Sequence, residues 1–206
     1  MYLYNTSKKL LILNLLFFSV QASATPLVTG KYYASKYNDN RDLLDDARVN
    51  PVLATKIKTL LNEAQAKGFT PIIHEVYRSR EKAKSLSRTI KGPAAKNSLH
   101  SYGLAVDIWM KNSKGENYSF DPVVVKKDKS NYLSYNEWVN FIKIGEKLGL
   151  INGYKHNDTD HWEYHPKWNK IDWVSGITYA EPIYIKSNGK TEVEKLKDVW
   201  RSAGVI

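Results

Sequence analysis

The chain has 206 residues, 42% of them hydrophobic and 25% charged, a globular composition that excludes a disordered or fibrous protein. It has no cysteine and a formal net charge of +10, so disulfides, Cys-ligated zinc, iron–sulfur clusters, thiol catalysis and a lipid-modified N-terminal cysteine are excluded. Any metal site must draw on Asp, Glu and five histidines: His74, His100, His156, His161 and His165.

Residues 1–24 read as a secretory signal peptide. Lys8 and Lys9 form a positive start, Leu10 to Val20 is apolar apart from Asn14 and Ser19, and Ala22-Ser23-Ala24 gives the small-x-small pattern a signal peptidase needs. The apolar run is too short to cross a hydrocarbon layer of roughly 30 Å as a helix. Cleavage removes two lysines and no acid, so the net charge falls from +10 to +8. An export signal without cysteine points to the periplasm or cell wall of a bacterium. The basic balance suits anionic surroundings such as wall polymers or headgroups. Its scattering, with no long basic run, argues against a nucleic-acid partner.

No internal repeat or low-complexity linker divides the rest, and one domain over 27–206, a monomer, is the simplest expectation. Asn50-Pro51 is an N-cap followed by proline, and Val52, Leu53, Ile57, Leu60, Leu61 and Ala64 recur at helical spacing before Gly68. Phe69 to Tyr77 is β-branched and aromatic, as a strand is. Ser79 is placed to cap a short helix over 80–90, broken at Gly92-Pro93. Leu104 to Met110 reads as a mostly buried strand and Lys111 to Glu116 as a polar turn. Ser134 and Glu137 form a capping box for a helix with Trp138, Phe141, Ile142, Gly145 and Leu148 on its apolar stripe. Residues 150–166 should hold a hairpin or strand–loop–strand, and Pro182 to Lys186 a strand. Thr191 and Glu194 form a second capping box before a last helix with Val193, Leu196, Val199 and Trp200 on one face. Strands mixed with helices give an α+β class, a central antiparallel sheet flanked by helices.

The segment richest in chemistry is Ser98-Leu99-His100-Ser101-Tyr102-Gly103-Leu104-Ala105-Val106-Asp107. On one continuous strand His100 and Asp107 would face opposite ways; a turn near Gly103 lets them converge. Asp107 then shares a strand face with Ala105 and Trp109, with Val106, Ile108 and Met110 opposite. One imidazole and one carboxylate are two thirds of a catalytic zinc site, with Ser98 and the backbone near Gly103 available for supporting hydrogen bonds. The third ligand is sought in Asp158-Thr159-Asp160-His161-Trp162-Glu163-Tyr164-His165. With His161, two imidazoles and one carboxylate leave Zn²⁺ a fourth position for water, whose pKa such a site lowers to about 7. Asp158 is the candidate proton acceptor, with Asp160 and Glu163 as nearby acids. His161 and His165 would pair on a helix. Trp162, Tyr164 and Pro166 favour a strand instead, with His161, Glu163 and His165 on one face. His165 is then structural or a supporting contact, His74 an ordinary strand residue and His156 a loop residue.

Ser-x-His-x-x-Gly-x-Ala-x-Asp followed by acid-x-x-His resembles the signature of the LAS zinc peptidases, which include D-Ala-D-Ala carboxypeptidases and dipeptidases, phage-type L-Ala-D-Glu endopeptidases and the hedgehog signalling domain. Ser98, His100, Gly103, Ala105 and Asp107 match the first motif and Asp158 and His161 the second. At residue frequencies near 5%, a chance match to the first is on the order of 10⁻⁴. Tyr77-Arg78-Ser79 resembles the family's Gly-Tyr-Arg-Ser, with Val76 in place of glycine and Ala83 where glutamine is frequent. The resemblance covers about residues 50–168 and leaves 169–206 unmatched.

It implies a hedgehog/D-Ala-D-Ala peptidase-like fold, one zinc ion on His100, Asp107 and His161, Asp158 as general base, and Arg78 steadying the oxyanion. It also implies hydrolysis of a peptide bond in peptidoglycan stem peptides. Ser98, Tyr77, Ser79 and Trp162 are the candidate supporting or substrate-binding residues. Asp at the acid-x-x-His position is similar to the endopeptidases, whereas the aromatic-rich tail after His161 is more like the carboxypeptidases. A carboxypeptidase needs a positive group for the terminal carboxylate, for which Arg80, Arg88 or a lysine is the candidate. A non-catalytic zinc-binding module and a basic, aromatic wall-binding domain are the alternatives.

Overall fold

In a computed structural model, residues 38–89, 98–168 and 176–206 are described. The signal-peptide segment and Gly92-Pro93 lie outside them. After a 3-10 turn at Arg41–Asp45 come α1 (Pro51–Ala66), β1 (Pro71–Glu75), α2 (Arg80–Thr89), a 3-10 turn at Leu99–Tyr102, and β2 (Ala105–Lys111). β3 (Asn117–Tyr118), α3 (Pro122–Lys127), α4 (Tyr135–Lys147), β4 (Ile151–Gly153) and β5 (Asp158–Glu163) follow, then α5 (Glu181–Lys186) and α6 (Glu192–Ala203). No helix among the described residues is long and apolar enough to cross a membrane.

The helices start where their caps dictate. The Asn50 side chain accepts from the Val52 and Leu53 N–H groups, each at 3.0 Å. Ser134 with Glu137, and Thr191 with Glu194, close reciprocal capping boxes. Ser79 Oγ accepts from the Lys82 N–H at the start of α2.

The sheet runs β1-β2-β5-β4, all antiparallel, with β3 paired to the end of β2. It is the central sheet of a single α+β domain. Strand alternation divides β2 as expected: Val106, Ile108 and Met110 are fully buried in one cluster with Leu53, Ile57, Leu60 and Leu61 of α1 and Trp138, Phe141 and Ile142 of α4. Two helices therefore cover one face of the sheet, and the opposite face carries Asp107.

Trp162 belongs to the covered face. It lies across from Val106 in the register, is 0% exposed and stacks edge-on against Phe141. Alternation sends it away from its neighbours His161 and Glu163, so it is a core residue and not a substrate contact. Gly145 of α4 makes room for it: a Cβ there would stand 2.0 Å from Trp162 Cζ3. Gly145→Ala is expected to cost at least about 1–3 kcal/mol through overpacking, read as a lower urea midpoint at unchanged slope.

Residues 182–186 are helical, against the expected strand. Pro182 sits in the first turn of α5, where a missing N–H costs nothing, and Tyr184 is buried against α6. The C-terminal helices form a second cluster with Leu99, Tyr102 and Leu104 and bind that turn by polar contacts as well. Trp200 Nε1–H donates to the Tyr102 carbonyl at 2.7 Å, and the Tyr102 hydroxyl donates to Glu181. The segment unmatched by sequence thus props the turn that carries His100.

Candidate metal centre

His100 lies in the 3-10 turn Leu99–Tyr102, whose first N–H groups are orphans. Ser98 Oγ accepts from the His100 N–H at 3.3 Å. Gly103 ends the turn at φ 64°, and a Cβ there would come 1.9 Å from the Arg48 carbonyl oxygen. Both the left-handed backbone and the close approach require glycine. The turn redirects the chain so that His100, preceding it, and Asp107, on the strand after it, face one point. Asp107 and His161 are direct cross-strand partners on β2 and β5, which places their side chains on one face.

Three donor atoms meet there. Asp107 Oδ1 is 3.0 Å from His100 Nε2 and 3.0 Å from His161 Nδ1, and the two nitrogens are 3.2 Å apart. Outer contacts assign the protons of both rings. His100 Nδ1–H donates to the Val76 carbonyl at 2.7 Å, and His161 Nε2–H donates to Glu163 Oε1 at 2.9 Å. A carbonyl and a carboxylate only accept, so each ring in its neutral form turns a lone pair inward. Two lone pairs and a carboxylate oxygen gathered in one spot are a donor set suited to a cation. A tetrahedral ion with bonds of about 2.0–2.1 Å spaces its donors by roughly 3.3–3.4 Å, close to these separations. The residues fit: His100, Asp107 and His161 form a group that can hold a metal ion.

The electrostatics agree. Burial opposes ionisation of Asp107, but the two imidazoles outweigh it and hold the carboxyl well below the ordinary range. Burial likewise disfavours a charged His161, yet Asp107 and Glu163 hold its pKa well above the ordinary imidazole value, so in the absence of a metal a proton occupies Nδ1. Glu163, between His161 and His165, is drawn down to about 2 against the cost of its burial.

Asp158 opens β5. The β4–β5 register jumps there, from Asn152 opposite Trp162 to Gly153 opposite Asp158. The buried Asn152 pins the extra length, donating from Nδ2 to the carbonyls of Thr159 at 2.9 Å and His161 at 3.0 Å. Burial pushes Asp158 up to about 7; His161 opposes this, and a hydrogen bond with Asp160 and the charge of Asp107 add to it. Asp160 accepts the Trp109 indole N–H at 2.6 Å. A divalent ion on the triangle favours the ionised form of Asp158.

Arg78 follows β1. Its backbone N–H donates to the His100 carbonyl at 3.2 Å. Its guanidinium donates to Glu75 Oε2 from Nε at 3.1 Å and Nη2 at 2.5 Å. Glu75 is paired across the sheet with Asp107, so Glu75, Asp107 and His161 make one row on the sheet face opposite α1 and α4. Sequence reasoning missed Glu75; its place three residues before Arg78 was the available signal. Burial would raise its carboxyl, but Arg78 and Lys82 bring it to about 2. Because the folded pKa lies below the ordinary 4.5, this stabilisation is complete above that pH and disappears as the pH falls towards about 2. Glu75→Gln is expected to flatten that acid slope in unfolding free energies measured between pH 6 and pH 2.

The remaining candidates make these contacts within the fold. The Tyr77 hydroxyl donates to Glu192 of α6 at 3.0 Å, under the Arg48 guanidinium. Arg80 is bound in two places to Glu181, at 2.7 and 2.6 Å, which ties it to the C-terminal helices. His74 is exposed and stacks on Trp109 at 3.7 Å, and His156 ends a 3-10 turn. No protein-family model matches the chain, and no curated protein matches it either.

Proposed function

We propose that the chain is an exported zinc peptidase of the LAS type, with a hedgehog/D-Ala-D-Ala peptidase-like fold, that hydrolyses a peptide bond in peptidoglycan stem peptides. The observation that carries this reading is the inward-facing triangle of His100 Nε2, Asp107 Oδ1 and His161 Nδ1, built from the residues of the sequence signature. Two imidazoles and one carboxylate are the donor set of catalytic zinc with an open position. When bound, zinc supplies an electrophile for the scissile carbonyl and acidifies the attacking water.

The chain's own groups do the rest. Asp158 accepts the water's proton and passes it to the departing amine. Arg78, steadied by Glu75, donates hydrogen bonds to the oxygen that gains charge. Arg78→Ala is expected to lower kcat by about 10²–10³-fold while zinc content stays at the wild-type level.

Mass spectrometry of purified muropeptides, with and without chelator, tests the reading and names the bond. The expected result is a stem-peptide cleavage that stops on chelation and returns with zinc. Wall binding that survives chelation, with no product mass, would replace the peptidase by a binding domain.

A further inference from the structure

We propose that Glu163 and His165 are positioning residues for the metal centre, a largely buried carboxylate clamped between two imidazoles that fixes the binding tautomer of His161. The inference rests on the metal-site reading above and extends it to residues that touch neither ion nor substrate.

Glu163 lies two residues beyond His161 on the same face of β5. Its side chain is 13% exposed, and those of His161 and His165 are 7% and 1% exposed. Each carboxylate oxygen has its own donor: Oε1 accepts from His161 Nε2–H and Oε2 from His165 Nε2–H, both at 2.9 Å. A swing of the carboxylate breaks one bond or the other. The backbone is equally held, because Glu163 is paired with Ala105 on one side and Ile151 on the other. His165 is fixed in turn against Trp168, whose N–H donates to the His165 carbonyl at 3.0 Å and whose ring lies 5.5 Å from the imidazole.

The chemistry follows from which nitrogen is engaged. His161 faces Asp107 and His100 through Nδ1, so only the Nε2–H tautomer presents a lone pair to an ion. A carboxylate at Nε2 selects that tautomer and makes Nδ1 a stronger donor. A glutamine keeps one accepting oxygen but loses the charge, and its amide nitrogen repels a second N–H donor. His165 holds the carboxylate in register and acts on the ion only through it.

Competition titration of Zn²⁺ against a chromophoric chelator, on the purified full chain, decides this. Glu163→Gln is expected to weaken zinc binding about 10–100-fold, and His165→Phe by a smaller factor in the same direction. A buried carboxylate elsewhere provides the contrast: Asp39, paired with Arg41, is expected on change to asparagine to lower the melting temperature and leave zinc affinity unmoved. Affinity within twofold of wild type in Glu163→Gln overturns the proposal. Should that variant not fold, an unchanged affinity in His165→Phe overturns it instead. A wild-type chain that binds no zinc overturns the metal-site reading and this inference together, whereas wild-type binding with indifferent variants overturns this inference alone.

Discussion

Replacing His161 with alanine is expected to remove metal binding and hydrolysis together. The ring is one corner of a triangle with edges of 3.0 to 3.2 Å, and its loss leaves an ion two protein donors. If a structural four-ligand zinc site is worth about 10–16 kcal/mol, each ligand carries roughly 3–4 kcal/mol, or about 10²–10³ in affinity. The change also strips a partner from Asp107 and from Glu163, two largely buried carboxylates, so the metal-free variant is expected to melt below the metal-free wild type. Metal analysis after dialysis and muropeptide hydrolysis are the readouts. His74→Ala is the matched control, because His74 is exposed on β1 and takes no part in the triangle. Full zinc content in His161→Ala would discard the ligand set.

Asp158→Ala is expected to separate binding from chemistry. Asp158 is outside the triangle, so zinc content stays at the wild-type level, while kcat falls by about 10²–10⁴-fold, the usual worth of a positioned base. Asp160 is the neighbouring acid that would confuse the assignment. Its carboxylate is engaged by the Trp109 indole, and Asp160→Asn is expected to keep most of the activity. Were Asp160→Asn the inactive variant and Asp158→Ala the active one, the base would be Asp160.

Much of this arrangement is legible in the chain because its causes are local. Asn50, Ser134 and Thr191 announce helix starts through their own hydrogen bonds. Gly103 announces the turn that brings His100 and Asp107 together, and alternation along β2 sorts core from site. What is illegible depends on distant partners. The face taken by Trp162 follows from its pairing with Val106, together with the notch left by Gly145. The tie of Arg80 to the C-terminal helices follows from Glu181, 101 residues away. The helix at Glu181–Lys186 is short enough that packing of Tyr184 against α6, not local pattern, sets its form. Asn152 gives no sign in sequence that it will hold the register jump behind Asp158.

The most direct test of the metal centre is a crystal grown with Zn²⁺ and measured on both sides of the zinc absorption edge. The expected result is one anomalous peak about 2.0–2.2 Å from His100 Nε2, Asp107 Oδ1 and His161 Nδ1. A map with those three side chains turned apart and no peak among them would contradict it.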